Sequence, residues 1–396
     1  MFPTDIVIVA GARTPMARYT GVFSEVSAID LGAHAAKAAV ERSGVDPFEF
    51  DHVVFGNVLQ TSSDAIYGAR HVGLKAGLKI ETPAVTVNRL CGSGIEAIAQ
   101  AAQRLLLGEA NMVLAGGMEN MTQAPFVIRG ARTGLKLGAG TLEDFLFVGL
   151  TDSYCGLPMA VTAEKLAAQT GISRADSDAY ALRSQQAADA AAKAGIFKEE
   201  ISPVEVKQGR KSVIVTEDDH RRPETTLETL AKLPPSFQKD GIVTAGNASG
   251  IVDGAAAVVV TREKTANDRG LKPLGRIVSW AAVGVDPSIM GIGPVPSTRK
   301  ALQWAGLQLE QIDRVEVNEA FAPQYLAVEK ELGLQREKTN VNGGAIALGH
   351  PLAASGTRLV ITLLNELRRK GLKYGLATAC IGGGQGIAMI VEALGN

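Results

Sequence analysis

Cysteine is scarce: three in 396 residues, at positions 91, 155 and 380. They are far apart, odd in number and in no Cys-x-x-Cys pair, so neither a disulfide framework nor a zinc site is expected. Charge of neither sign dominates, with 40 Lys and Arg against 41 Asp and Glu and a formal net charge of −1. No long run of like charge occurs, so no nucleic-acid surface or basic membrane patch is expected. Any anionic ligand must be met by local groups. No stretch of about 18 consecutive apolar residues exists, so a membrane span is not expected either. The opening MFPTDIVIVAGARTP runs straight into a strand, without the basic, apolar and small-residue layout of a signal segment. The chain reads as cytoplasmic.

What is present is apolar surface to bury. The chain is 46% apolar and 20% charged, the balance of a large globular protein of two or three domains. Short apolar runs alternate with helical patterns. IVIVA (6–10), VVF (53–55), AVTV (84–87), MVLA (112–115), AAAVVV (255–260), RVEV (314–317), YGLATAC (374–380) and GIAMIVEA (386–393) read as strands. Residues 28–43, 93–107, 175–194, 297–305, 323–332 and 354–370 read as helices. Ser173 with Asp176 marks a helix start, and Gly195 its stop. This alternation argues for an α/β layered fold with strands buried on both faces. Residues 118–245 break the rhythm: they are richer in Gly, Pro and polar residues, and strand signals such as SVIVT (212–216) stand alone. They read as an inserted subdomain, with the main pattern resuming near 246–260.

A faint internal repeat runs through the chain. The first half has VN, then CGSG, a helix, the strand MVLA and a Gly-Gly turn. The second has VNGGAIALGHPLAASG (341–356), a helix, the strand LATAC and GGG (382–384). Each half places Ser-Gly just inside the helix, which would put Cys91 and His350 at equivalent helix starts.

Those turns carry the chemistry. A thiol at a helix N-terminus has its thiolate stabilised by the helix's positive end, and the following Gly-Ser-Gly lets other groups approach the sulfur. That suits a nucleophile; the bland alternative for Cys91 is a small buried hydrophobe. A competing pattern, Gly92 to Ala97, fits G-x-G-x-x-[GA] after a strand. It implies a dinucleotide cradle, but the nearest acidic partner, Glu119, lies beyond two glycines rather than at a second strand's end. His350 precedes a helix whose positive end disfavours the imidazolium, leaving a ring able to take a proton. Pro351 fits the first helical turn. His34, His52, His71 and His220 read as surface or structural. Asn318, in VEVNEAF, ends a strand and can hold a water or a polar ligand atom. Cys380, in TACIGGGQG, ends another before three glycines whose N–H groups can approach a reacting oxygen.

NRLCGSG (88–94), VNEAF (317–321), GHPLAASG (349–356) and CIGGGQG (380–386) together resemble the thiolase family, in that family's order and spacing and over essentially the whole chain. GNVLQTSSDAIYGARHVGL (56–74), KLPPSFQKDGIVTAGNASG (232–250) and DPSIMGIGPVP (286–296) are most similar to its mitochondrial-type 3-ketoacyl-CoA branch. With no targeting extension, a bacterial member is expected. The resemblance implies two pseudo-repeated layered α/β/α halves with an inserted loop domain. One half spans 1–117 and is completed by 246–270, the coenzyme A-binding loop domain spans 118–245, and the second half spans 271–396. It implies a reversible Claisen reaction, acyl-CoA + acetyl-CoA ⇌ 3-ketoacyl-CoA + CoA, by ping-pong through an acyl-Cys91 enzyme, broad in chain length and degradative. The alternative is a biosynthetic acetoacetyl-CoA thiolase.

Residue by residue, the resemblance implies Cys91 as nucleophile, His350 as its base and Cys380 as the acid/base for the acetyl-CoA carbanion. Asn318 holds a water that forms one oxyanion hole with His350; the N–H groups of Cys91 and Gly382 form another. Arg222 lies near the nucleotide end of CoA and Ser249 against the pantetheine arm. Thr229, Ala245, Phe237, Met159, Met290, Ala320 and Phe321 line the remainder. Coenzyme A is a substrate, with no permanent cofactor or metal, and a homodimer or homotetramer is implied. Two departures stand out. Pro158 replaces the His that biosynthetic members commonly place before the methionine. Ala353 replaces the usual Gly of GHP-x-G, and its methyl is expected to tilt the helix or narrow the pocket. Cys155 matches no family role and reads as structural.

Overall fold

The computed structural model describes residues 5–138 and 140–395. Nine strands build the central sheet: β1 (Ile6–Arg13), β2 (His52–Gly56), β3 (Ala84–Val87), β4 (Met112–Glu119), β5 (Val252–Arg262), β6 (Gly275–Gly284), β7 (Arg314–Val317), β8 (Tyr374–Ile381) and β9 (Gln385–Ala393). Their order is β7-β8-β9-β6-β1-β5-β4-β2-β3, with the two-residue strand Ala17–Arg18 added beside β5. The repeat read from the sequence is a repeat of topology. β2 runs parallel to β4, which is followed by antiparallel β5 and β1. β7 runs parallel to β8, which is followed by antiparallel β9 and β6. The halves meet where β1 and β6 pair over only two residues.

Seven main helices accompany the sheet: α1 (Ala28–Ser43), α2 (Ser93–Leu107), α3 (Met159–Thr170), α4 (Arg174–Lys193), α5 (Pro294–Ala305), α6 (Ala322–Leu332) and α7 (Leu352–Lys370). α2 and α7 are the equivalent helices of the two halves. They share one core cluster with strands of both halves, Ile95, Ile98, Leu359 and Leu363 among its members. α1 covers the first half's other face and α5 with α6 the second's. The strands inside the sheet are thus buried on both sides, which is why their sequences are continuously apolar; the edge strand β3 is only half-buried.

The small residues of CGSG and AASG place these two helices. A Cβ on Gly94 would lie 2.5 Å from the Thr357 nitrogen, and one on Gly356 would lie 2.5 Å from the Ile95 nitrogen. A Cβ on Gly92 would lie 2.6 Å from Ile381 Cδ1. The glycines of the dinucleotide-like pattern therefore serve close packing, Gly94 against α7 and Gly92 against β8, not phosphate approach.

The sequence missed β6 and α3. β6 is an apolar run interrupted by Ser279, whose hydroxyl donates to the Ala301 carbonyl and is buried without breaking the strand. α3 begins at Pro158, which sits at its N-cap. SVIVT is not isolated: Lys211–Val215 pairs with Val204–Gln208. The start of α4 is a capping box between Ser173 and Asp176, and Gly195 follows it with φ 75°. The stretch read from the sequence as inserted is tied to β1 by buried Arg13, which reaches Glu200 and Asp218 at 2.7 Å each.

Candidate active site

The sequence-predicted catalytic residues come from strand ends. Cys91 follows β3, Asn318 follows β7, Cys380 is the penultimate residue of β8 with Gly382 just beyond it, and His350 precedes α7. These are carboxyl ends of strands that run parallel within each half, the edge where α/β sheets open to ligands.

Cys91 sits on a constrained turn. Leu90 before it has φ 46°, a left-handed conformation that a leucine adopts only when its surroundings enforce it. Here the Leu90 N–H donates to Asn88 Oδ1, the Ser93 hydroxyl donates to the Leu90 carbonyl, and Arg89 is anchored on Glu96 and Gln385. The result points the thiol into a cavity rather than into the core. Protein surrounds it closely enough that burial pushes its pKa up to about 11, despite hydrogen bonds from the N–H groups of Gly382 and Cys91 itself. The helix end does not win: the resting group is a thiol. Both N–H groups reach the Cys91 sulfur.

His350 is buried and held on both ring nitrogens. Nδ1 lies 2.5 Å from Ser355 Oγ, and that hydroxyl donates to the Pro351 carbonyl. Ser355 therefore accepts from Nδ1–H, which leaves Nε2 as the basic nitrogen. Asn318 Nδ2 lies 3.3 Å from Nε2. Asn318 Oδ1 is buried and has no hydrogen-bond partner among the described residues, leaving an acceptor free inside the site. Burial first, then the Arg358 guanidinium, push the His350 pKa down to about 3. The ring is neutral as expected, but desolvation is the main cause, not the helix end. Pro351 is the N-cap of α7 rather than part of its first turn.

Cys380 is fully buried. It packs with Met290, Ala320, Met159 and Phe321. Burial and the neighbouring Cys91 push its thiol far above the usual range. Such a group holds its proton until a strong base, such as a carbanion, takes it.

One cavity of about 460 Å³ contains Cys91 and His350 and is lined by Met159, Phe237, Ala245, Ser249, Met290, Ala320, Phe321 and Pro158. It continues past Ser249 and Gly250 into a groove bearing Arg222, His220 and Arg18, and then Thr229. Seven of the nine residues expected to contact CoA line this cavity, Arg222 lies in the adjoining groove and Thr229 in the next pocket. His220, read from the sequence as surface or structural, lines this groove. Its ring packs on Gly250, whose carbonyl accepts the His350 N–H at 2.9 Å. A smaller pocket of about 210 Å³ opens beside Cys91, walled by Leu90, Leu150, Met159, Leu352 and Gly382.

Ala353 does not narrow the channel. Its methyl faces Gly56 in the helix–sheet packing, and the adjacent Leu352 is the residue that lines the cavity. Cys155 lies partly exposed in the turn between the short strands Thr151–Asp152 and Leu157–Pro158. Sequence reading missed Ser355 and Leu352, although both lie inside a quoted motif. Their roles depend on the turn 349–352, which spacing alone does not reveal. Among the described residues, no group of three or more His, Cys, Asp or Glu is placed to hold a metal, and no helix is long and apolar enough to cross a membrane.

The family model for the thiolase N-terminal domain matches residues 6–264, and that for the thiolase C-terminal domain matches residues 271–393. The chain is 55% identical to the mitochondrial 3-ketoacyl-CoA thiolase of Homo sapiens, covering 98% of each. It is 50% identical to an acetyl-CoA acetyltransferase of Escherichia coli, covering 98% of this chain and 99% of that one. The crystal structure of the human mitochondrial enzyme in complex with CoA superposes with a TM-score of 0.96, at 55% identity and 98% coverage of both. The acetyl-CoA acetyltransferase of Bacillus anthracis gives a TM-score of 0.97, at 43% identity and 99% coverage of both.

Proposed function

The chain belongs to the thiolase family, and from that premise we propose that it is an acyltransferase that cleaves 3-ketoacyl-CoA with CoA, reversibly, through an acyl-Cys91 intermediate. One observation carries the reading: Cys91 and His350, the latter hydrogen-bonded to Asn318, line a cavity that adjoins a groove bearing Arg222, with Cys380 beside Cys91.

In the degradative direction, Cys91 sulfur attacks the 3-keto carbon while His350 Nε2 takes the thiol proton. The tetrahedral oxyanion is met by N–H groups that point at the reacting atom. The C2–C3 bond then breaks. The electron pair stays on C2 as the enolate of acetyl-CoA, which takes the Cys380 proton and leaves. The CoA thiol next attacks the acyl-Cys91 thioester and gives its proton to the Cys380 thiolate. Cys91 leaves and recovers its proton from His350, so the cycle closes with both thiols restored. Asn318 Oδ1, a buried acceptor with no partner among the described residues, would hold a water, and that water with protonated His350 would stabilise the enolate oxygen. Arg222 suits the phosphates of CoA, and the apolar walls suit the pantetheine arm.

The degradative, chain-length-tolerant form is favoured over acetoacetyl-CoA synthesis. Support comes from Pro158 at the cavity wall, from Leu146, Phe147, Leu150 and Leu352 around the acyl end, and from the higher identity to the 3-ketoacyl-CoA relative. The test is thiolysis rate against chain length, from acetoacetyl-CoA to 3-ketodecanoyl-CoA. Activity well beyond four carbons supports the reading; activity confined to acetoacetyl-CoA replaces it with the biosynthetic one. We also propose action in the cytoplasm as a dimer or a dimer of dimers. The edge strand β3 supports assembly, since Thr86 is exposed on it and its outer side is unpaired in the sheet. Sedimentation as a monomer at micromolar concentration would remove that part.

A further inference from the structure

Glu119 is the last residue of β4 and is fully buried. The reaction described above does not use it. Its carboxylate accepts four hydrogen bonds: from Asn57 Nδ2 at 3.1 Å, Leu59 N at 3.0 Å, Val58 N at 3.2 Å and Ala353 N at 3.1 Å. All four partners are donors, which is the pattern an ionised carboxylate requires; burial nonetheless pushes its pKa up to about 7, against the N–H groups that hold it down.

Three of these donors belong to the segment following β2, in the first half of the chain. The fourth belongs to the first turn of α7, in the second half. N–H groups there have no partner within their own helix. Pro351 at the N-cap offers no side-chain acceptor, so the acceptor comes from across the molecule. A negative charge at that end of α7 is also favoured by the helix dipole. Backbone contact reinforces the bond: a Cβ on Gly117 would lie 1.9 Å from the Ala353 carbonyl oxygen. Immediately before Ala353 come Leu352, which packs with Leu59 and Cys91, and His350.

We propose that Glu119 is a positioning residue: by capping α7 from the opposite half of the chain, it fixes the turn 349–352 and so sets the His350 ring against Cys91. It touches no substrate. The inference rests on the reading of Cys91 and His350 as nucleophile and base. Its charge has a second, smaller effect: burial is what mainly disfavours the Cys91 thiolate, and a negative Glu119 adds to it. Glutamine at this position has one acceptor oxygen and turns an NH₂ group toward N–H donors. Aspartate keeps the charge but stops one methylene short.

The test uses the full-length protein, Glu119→Gln and Glu119→Asp. Steady-state thiolysis of acetoacetyl-CoA is measured alongside iodoacetamide alkylation of Cys91 at pH 8, followed by mass spectrometry. Glu119→Gln is expected to lower kcat at least tenfold with KM for CoA within threefold, while Cys91 alkylates as fast as in the wild type or faster. Glu119→Asp is expected to lower kcat at least fivefold with alkylation unchanged. A folded Glu119→Gln within twofold of wild-type kcat overturns the proposal. So does a parallel loss of kcat and alkylation in both variants, which marks general damage around Cys91. Should the amide variant not fold, Glu119→Asp decides by the same kcat criterion. An inactive wild type would instead sink the thiolase reading itself.

Discussion

The resting state of Cys91 and His350 is a neutral pair, and this can be measured. Burial raises the Cys91 thiol to about 11 and lowers His350 to about 3. Moving the proton from sulfur to Nε2 in the empty site therefore costs on the order of 10 kcal/mol before the new ions attract each other. That attraction is worth about 4 kcal/mol at contact with an effective dielectric of 20. The neutral pair wins by several kcal/mol. At pH 7.5 the Cys91 thiolate fraction is then about 3 in 10,000, against about 1 in 10 for an ordinary thiol. The assay is thiolate absorbance near 240 nm, titrated from pH 5 to 10.5 in the wild type and in Cys91→Ser, the difference isolating Cys91. The difference should stay flat to about pH 9 and then rise. A step below pH 7 with a plateau above it would mean a preformed thiolate–imidazolium pair and refute the argument. In the neutral-pair account the proton moves only as sulfur attacks a carbonyl already polarised by N–H donors.

Four other outcomes follow from the same geometry. His350 is neutral at any pH well above about 3, so it should give kcat/KM no acid limb near pH 6.5; a limb there that disappears in Glu119→Gln belongs to Glu119, raised to about 7 by burial, and one that persists in Glu119→Gln contradicts this. Ser355→Ala removes the acceptor that fixes the His350 tautomer and should lower kcat about tenfold, the equivalent of one strong hydrogen bond of about 1.5 kcal/mol, with KM for CoA little changed. Arg222→Ala should raise KM for CoA without lowering kcat, and a pantetheine substrate lacking the nucleotide should not distinguish it from wild type. Gly94→Ala sets a methyl 2.5 Å from backbone of α7, an overpacking that costs about 3 kcal/mol or more; thermal unfolding should shift down by several degrees or soluble protein be lost.

Most of the site was legible before the fold because strand ends and glycine turns leave strong local signals. Cys91, Asn318 and Cys380 each close an apolar run, and His350 opens a helix. Their meeting was legible only through the repeat, since nothing local says that residues about 90 and 350 are neighbours. Ionisation was the weakest reading. A helix end near Cys91 predicted a stabilised thiolate, but the turn at Leu90 sets the sulfur where desolvation outweighs the dipole. Burial is a property of the assembled fold, not of seven letters. The same holds for Glu119. As sequence it was a misplaced ribose-binding acid; in the fold it receives Asn57, Val58, Leu59 and Ala353 from two halves. β6 was missed because Ser279 broke an apolar run whose polar atom is satisfied by α5, a partner invisible from within the run. Ala353 was read one side chain wrong, since helix phase puts Leu352 into the cavity and the alanine methyl against Gly56.

The central claim is that Cys91 carries the acyl group with His350 as its base. The direct test is intact-protein and peptide mass spectrometry after brief mixing of the protein with acetyl-CoA and, separately, with 3-ketohexanoyl-CoA, without CoA. The account predicts an acetyl adduct and a butanoyl adduct, each confined to the peptide containing Cys91. Both should be absent in Cys91→Ser and sharply reduced in His350→Ala. An adduct on Cys380 or Cys155, or turnover with no adduct on Cys91, would contradict it.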